Sequence, residues 1–268
     1  MRVAARPLAE TFGRCREDGR AALIAFLTAG FPSLAQTPAL IMAAIEGGAD
    51  MIEIGFPYSD PVADGPVIQA SSQHALDHGA TFDRVLEIAA RCAASVPLIA
   101  FTYYNPLFAR GLVRCAQELH AAGFAGAIVP DLPPEESAPL CDAFARTDLS
   151  LTFLVAPTTP LERARAIAAR CDDFVYVAGR LGVTGTHAGV DQTVLERVAD
   201  LRRLMDKPLA VGFGVSRPEE VAQIAAAADG VIVGSAIVQA CVAQDPARAV
   251  KDLCSSLRAH TINARRHV

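Results

Sequence analysis

The sequence predicts an α/β fold, a single (β/α)8 TIM barrel with an extra N-terminal helix and one short helix after the eighth strand. Two observations carry this expectation. Eight short apolar runs alternate with longer stretches in which Leu, Ile, Val and Ala recur at helical spacing. The runs are also apolar almost throughout, as parallel strands covered on both faces must be. Eight βα units in 268 residues suit one closed barrel, which typically takes ~250 residues. A doubly wound open sheet is the alternative topology.

The elements follow in order. Residues 7–18 read as a helix that plugs the barrel bottom. The strands are 23–28, 51–55, 98–103, 127–131, 151–156, 174–178, 209–213 and 230–234, each followed by an amphipathic stretch. The longest connections follow the second strand, residues 56–80, and the sixth, residues 179–190, which is rich in Gly and Thr. Gly234-Ser235 opens a short helix over 236–242. No linker or low-complexity stretch interrupts the chain, so residues 1–268 are read as one domain.

Composition excludes several classes. The chain is 52% hydrophobic and 20% charged, with a net charge of −5. That balance argues against nucleic acid, which demands a basic stripe. Arg202-Arg203 and Arg265-Arg266 read as solvated helix ends. Seven scattered cysteines with no C-x-x-C pair argue against a metal site or a disulfide framework and suggest free thiols in a reducing, cytoplasmic setting. Residues 1–20 carry charge throughout, so no targeting segment is expected, and the apolar run 21–31 is too short to span a bilayer.

In such barrels chemistry sits at the C-terminal strand ends. Glu53 interrupts Met51-Ile52-Glu53-Ile54-Gly55. Side chains alternate along a strand, so Ile52 and Ile54 share the face beneath the helices and Glu53 points into the barrel mouth. Desolvation there raises a carboxyl's pKa and makes it a usable general acid. A salt bridge to an inward cation would be the purely structural use, but no predicted strand carries Arg or Lys. Asp60 and Asp64 lie in a loop stiffened by Pro61, Gly65 and Pro66. Spacing alone reads Asp64 equally well as a turn cap and as part of a carboxylate cluster. Tyr103, Asp131, Tyr176 and Thr184 also fall at or just past strand ends.

Three glycine-bearing segments follow the last three strands: Gly182-Val183-Thr184-Gly185, Gly212-Phe213-Gly214-Val215-Ser216 and Gly234-Ser235-Ala236. Backbone amides bared by glycine and at helix N-termini bind anions, which predicts a phosphate site and makes the helix after the eighth strand a phosphate-binding one. Ser216 with Glu219 reads as a capping box. Neither lysine suits Schiff-base chemistry: Lys207 precedes the seventh strand and Lys251 lies in the last helix. His74 and His78, spaced four apart on a peripheral helix, lack a third ligand and read as surface or packing residues. What remains is carboxylate acid–base chemistry on a phosphorylated substrate.

Residues 52–69, Ile-Glu-Ile-Gly-Phe-Pro-Tyr-Ser-Asp-Pro-Val-Ala-Asp-Gly-Pro-Val-Ile-Gln, closely resemble the signature of tryptophan synthase α subunits. So do Tyr103-Tyr104-Asn105-Pro106, Pro130-Asp131-Leu132-Pro133-Pro134, Gly182-Val183-Thr184-Gly185, Gly212-Phe213-Gly214-Val215-Ser216 and Val233-Gly234-Ser235-Ala236, in the same order over nearly the whole chain. The resemblance implies retro-aldol cleavage of indole-3-glycerol phosphate to indole and glyceraldehyde 3-phosphate, with Glu53, Asp64 and Tyr176 catalytic. It implies a substrate pocket lined by Phe26, Phe101, Tyr103, Thr184, Phe213 and Ile232, and a phosphate site at Gly185, Gly214, Gly234 and Ser235. It implies a pyridoxal-phosphate β-subunit partner in an α2β2 heterotetramer, met by Pro57, Asp60, Asn105 and Asp131, and no cofactor or metal in this chain. A standalone lyase releasing free indole, another phosphate-binding barrel enzyme and a non-catalytic activating subunit are the rival readings. One departure stands out: Gly179 occupies a position where the family often has serine, which implies a looser loop after the sixth strand.

Overall fold

The computed structural model describes residues 8–93, 95–179, 192–212 and 214–262. The apolar runs form parallel strands in one sheet: β1 (Ala22–Thr28), β2 (Met51–Gly55), β3 (Leu98–Phe101), β4 (Phe124–Ile128), β5 (Ser150–Thr152), β6 (Leu154–Val155), β7 (Val175–Ala178), β8 (Leu209–Gly212) and β9 (Gly230–Val233). Their order is β5-β4-β3-β2-β1-β9-β8-β7-β6. The two ends of that order are consecutive in sequence, with Phe153 between them. The first half of this segment pairs with β4 and the second half with β7, so the ring of strands comes round through one stretch of chain. The break falls where the Phe153 amide donates to Cys171 Sγ at 3.4 Å. β5 and β6 are therefore the two halves of the single strand expected at 151–156.

Alternation separates two apolar layers. Leu23, Ala25, Leu27, Ile52, Ile54, Val175, Val177, Val231 and Val233 pack outward with the helices. Ala22, Ile24, Phe26, Met51, Ile99, Phe101, Tyr176, Ala210 and Ile232 form a separate inner cluster. Helix α1 (Leu8–Glu17) joins that inner cluster through Leu8, Phe12 and Cys15, as the plug expected at 7–18. The Phe12 ring lies 5.3 Å from Phe174, and a Cβ on Gly230 would come 2.9 Å from it. Arg20 closes the same end by pairing bidentately with Asp50 at 2.7 and 2.9 Å.

Around the sheet follow α2 (Thr37–Glu46), α3 (Pro66–Asp77), α4 (Phe82–Cys92), α5 (Tyr104–Arg110), α6 (Leu112–Ala121), α7 (Ala138–Ala145), α8 (Leu161–Arg170), α9 (Gln192–Leu204), α10 (Pro218–Ala225), α11 (Ser235–Ala240) and α12 (Pro246–Ala259), of which α3, α5, α10 and α11 shape the opposite end. Much of the long connection expected at 56–80 is thus helix, started by Pro66 at its first position. The fourth strand runs 124–128 and not 127–131. Gly123, at φ 88°, ends the preceding helix, so the strand begins at once on Phe124, and the Ala125-Gly126 that follow carry little β signal. The capping box also differs: Pro218 sets the first turn of α10, so Glu220, not Glu219, accepts from the Ser216 and Arg217 amides at 2.8 and 3.1 Å. Arg202 is no solvated helix end, because it pairs with buried Asp229. Arg265-Arg266 lies outside the described residues. No described helix is long and apolar enough to cross a membrane.

The plug yields a test. Truncating a buried phenyl ring leaves a cavity that costs ~3–5 kcal/mol. Phe12→Ala should lower the urea-unfolding free energy by about that amount while leaving the barrel mouth, at the other end, functional in the folded fraction.

Candidate active site

Glu53 is the one ionisable side chain on β2, and the pattern puts it inside. It is 1% exposed, flanked in register by Phe26 of β1 and Ile99 of β3. Its Oε2 is buried with no hydrogen-bond partner. Burial, reinforced by the nearby Asp64 charge, pushes its carboxyl up to about 8. Such a group is protonated at neutral pH and can deliver its proton to whatever enters the mouth.

Asp64 reaches the same place from the loop between β2 and α3. The loop is pinned at several points. Thr28 and Ser71 hydroxyls bond at 2.7 Å, fixing α3 to β1, and Ile68 packs into the inner cluster. The Asp64 amide donates to Pro61 O at 3.1 Å, Gln69 Nε2 to Asp64 O at 2.8 Å, and the Ala63 amide to Tyr103 Oη at 3.1 Å. These bonds hold the carboxyl 7% exposed, and its Oδ1 is also buried without a partner. Burial raises it to about 7, with a hydrogen bond from Tyr103 pulling the other way.

Tyr176 of β7 completes the group. It is buried, its hydroxyl held far above the ordinary phenol range by burial and by the charges of Glu53 and Asp64. Its ring lies against β8 where residue 212 has no side chain: a Cβ there would sit 2.1 Å from Tyr176 Oη. Phe26 and Phe101 meet edge-on at 5.7 Å beneath, and Ile232 belongs to the same inner cluster. The structure therefore brings together Glu53, Asp64, Tyr176, Phe26, Phe101, Tyr103 and Ile232. Thr184, Gly185 and Phe213 lie outside the described residues.

The two described glycine turns border this space. Gly214 has φ 78°, a conformation side chains rarely adopt. Gly234 caps α11, and its Cα faces Ile68 and Phe26, with a Cβ there 3.4–3.5 Å from both side chains. The first-turn amides of α11, beginning at Ser235, have no acceptor within the helix. Gly179, at the end of β7, donates its amide to Gly212 O.

Pro57, Asp60, Asn105 and Asp131 line the rim, with Asp60, Asn105 and Asp131 exposed. Val62, on the loop after β2, and Phe108, on α5, are 80% and 64% exposed beside them. Asp131 also accepts from the Tyr104 amide at 2.9 Å, which starts α5. Sequence reasoning missed Tyr58. Its ring stacks on Tyr103 at 5.1 Å, and its hydroxyl accepts from Asn105 Nδ2 at 3.5 Å. An aromatic next to a proline in an acidic loop was the available signal. His74 Nε2 donates to Pro32 O at 3.0 Å, and its ring stacks on His78 at 4.1 Å, as packing residues do. Lys251 pairs with Glu46, and Lys207 bonds the Ala168 and Cys171 carbonyls, both away from the mouth.

A methyl group at residue 212 tests the packing. Gly212→Ala must displace the buried Tyr176 ring, and overpacking of this kind costs ~1–3 kcal/mol. Urea unfolding should show that loss, and near-ultraviolet dichroism should report a moved tyrosine.

Residues 12–264 match the family model described as tryptophan synthase alpha chain. A tryptophan synthase alpha chain of Acaryochloris marina is 44% identical over 257 residues, covering 94% of this chain and 96% of its own. One from Picosynechococcus is 45% identical, covering 94% and 97%. A solved Mycobacterium tuberculosis tryptophan synthase superposes with TM-score 0.89 at 38% identity, covering 97% of this chain and 99% of that one. The tryptophan synthase subunit alpha of Legionella pneumophila superposes with TM-score 0.85 at 32% identity, covering 94% and 97%. With a barrel of this topology and a match of this length, the chain belongs to the tryptophan synthase alpha chain family, a lyase subunit.

Proposed function

We propose that this chain, acting as one domain, cleaves indole-3-glycerol phosphate at the mouth of its barrel, with Glu53 as the acid, Asp64 as the electrostatic partner and Tyr176 beside them. The observation that carries the reading is the buried pair: Glu53 and Asp64 each bury an unpartnered carboxyl oxygen, and burial raises Glu53 to about 8 and Asp64 to about 7.

The chemistry follows from their protonation. Indole is a poor carbanion leaving group. Glu53 donates its proton to indole C3, which turns the ring into an electron sink. The bond from C3 to the glycerol chain then breaks. The glycerol hydroxyl loses its proton as the aldehyde forms, and the Glu53 carboxylate left by the first step accepts it. Asp64, ionised, accepts a hydrogen bond from the indole N–H and stabilises the positive charge that develops there. Phe26, Phe101, Tyr103 and Ile232 enclose the indole, and Thr184 and Phe213 are assigned to the same pocket. The amides at Gly214, Gly234 and Ser235, with Gly185, receive the phosphate.

The rim residues Pro57, Asp60, Asn105 and Asp131 then meet a β subunit, which carries pyridoxal phosphate and consumes the indole, in a cytoplasmic α2β2 complex; this chain needs no cofactor. The names of the matched relatives favour this over a standalone lyase or a non-catalytic activator.

Acid–base help of this kind typically contributes ~100- to 10,000-fold. Glu53→Gln should slow indole release by about that factor while KM changes little, and Asp64→Asn should lower the rate more than it weakens phosphate affinity. A folded Glu53→Gln protein with wild-type turnover, assayed with and without a β subunit, overturns the assignment.

A further inference from the structure

The strongest unexplained contact is the grip of Tyr103 on the loop that carries Asp64. Tyr103 follows β3, is 2% exposed and occupies the N-cap position of α5. Its Oη accepts the Ala63 amide, one residue before Asp64, and reaches the Asp64 side chain. A phenol has one proton. With its oxygen receiving the Ala63 N–H, that proton points away from the amide, on the side of the loop that carries Asp64. Asp64 Oδ1 is left buried with no partner.

The ring itself is fixed by elements other than this grip. Tyr58 stacks on it with an interplanar angle of 28°, and Phe101 meets it edge-on at 6.4 Å. The next amide, Tyr104 N–H, is held by Asp131. Tyr103 thus has little freedom to turn toward a ligand.

We propose that Tyr103 is a positioning residue for Asp64, its hydroxyl anchoring the loop at the Ala63 amide so that Oδ1 of the next residue is presented to the indole N–H. This rests on the reading of Asp64 given above and adds a distinct role for a side chain otherwise assigned only to the pocket lining. Among the described residues the titratable groups whose charges couple to Asp64 are Glu53 of β2, Tyr103 after β3 and Tyr176 of β7. Of these Tyr103 alone lowers the Asp64 pKa by a hydrogen bond.

The test is Tyr103→Phe, which keeps the stacked ring and removes the hydroxyl, in the full chain with saturating β subunit. Indole release from indole-3-glycerol phosphate is followed across pH in four proteins: wild type, Tyr103→Phe, Asp64→Asn and the double variant. A lost hydrogen bond to a charged group corresponds to about 10- to 100-fold in rate. Tyr103→Phe should lose about that factor in kcat at neutral pH, with KM changed far less. The acid limb, set near 7 by Asp64, should move to higher pH. In the Asp64→Asn background the same substitution should do almost nothing. An unshifted profile, or an equal loss in both backgrounds, overturns the proposal. Asp64→Asn at wild-type rate would instead overturn the underlying reading of Asp64.

Discussion

A carboxyl group buried in the barrel, with no cation beside it among the described residues, is the constraint on which the site depends. Glu53 sits where alternation along β2 sends it inward, among Phe26, Ile99 and Tyr176, and no cation among the described residues pairs with it. Burial therefore holds it protonated through neutral pH. The loop carrying Asp64 is tied down by α3, by Gln69 and by Tyr103, because a second acid placed loosely would turn to water and lose its influence. Tyr176 can approach both only because residue 212 lacks a side chain.

This arrangement opposes stability. A carboxyl that titrates near 4.5 unfolded and about 8 folded binds more protons in the folded state between those values. Folding free energy from this group therefore declines as pH rises from about 4.5 to about 8 and is level above that. The rest of the molecule offsets the loss at the other end of the barrel, where Phe12 fills the bottom and the Arg20–Asp50 pair clamps the first turns of chain to β1 and β2. The packed, plugged end and the mouth that buries two carboxyls thus occupy opposite ends of the same barrel.

Local patterns make much of this legible in the sequence. One polar residue at an inward position of an otherwise apolar strand is a strong signal, so Glu53 was readable from five residues. The plug helix and the strand alternation were readable for the same reason. The fourth strand was misplaced because Ala and Gly carry little preference, and its start is set by the turn at Gly123. The cap on α10 was displaced by one residue because Pro218, rather than the serine, sets where the helix begins. Contacts between distant segments were beyond reach. The hold of Tyr103 on Ala63, forty residues away, and the stacking of Tyr58 depend on how β2 and β3 lie side by side. Asp64 could be read two ways from spacing because its partner belongs to another strand.

The most direct measurement is the protonation state of Glu53 itself. Carbon-13 carboxyl labelling of glutamate, with Glu53→Gln to assign the signal, reports its titration in the folded chain. The account predicts a midpoint close to 8. A midpoint in the ordinary range of an exposed glutamate, ~4 to 5, would contradict it.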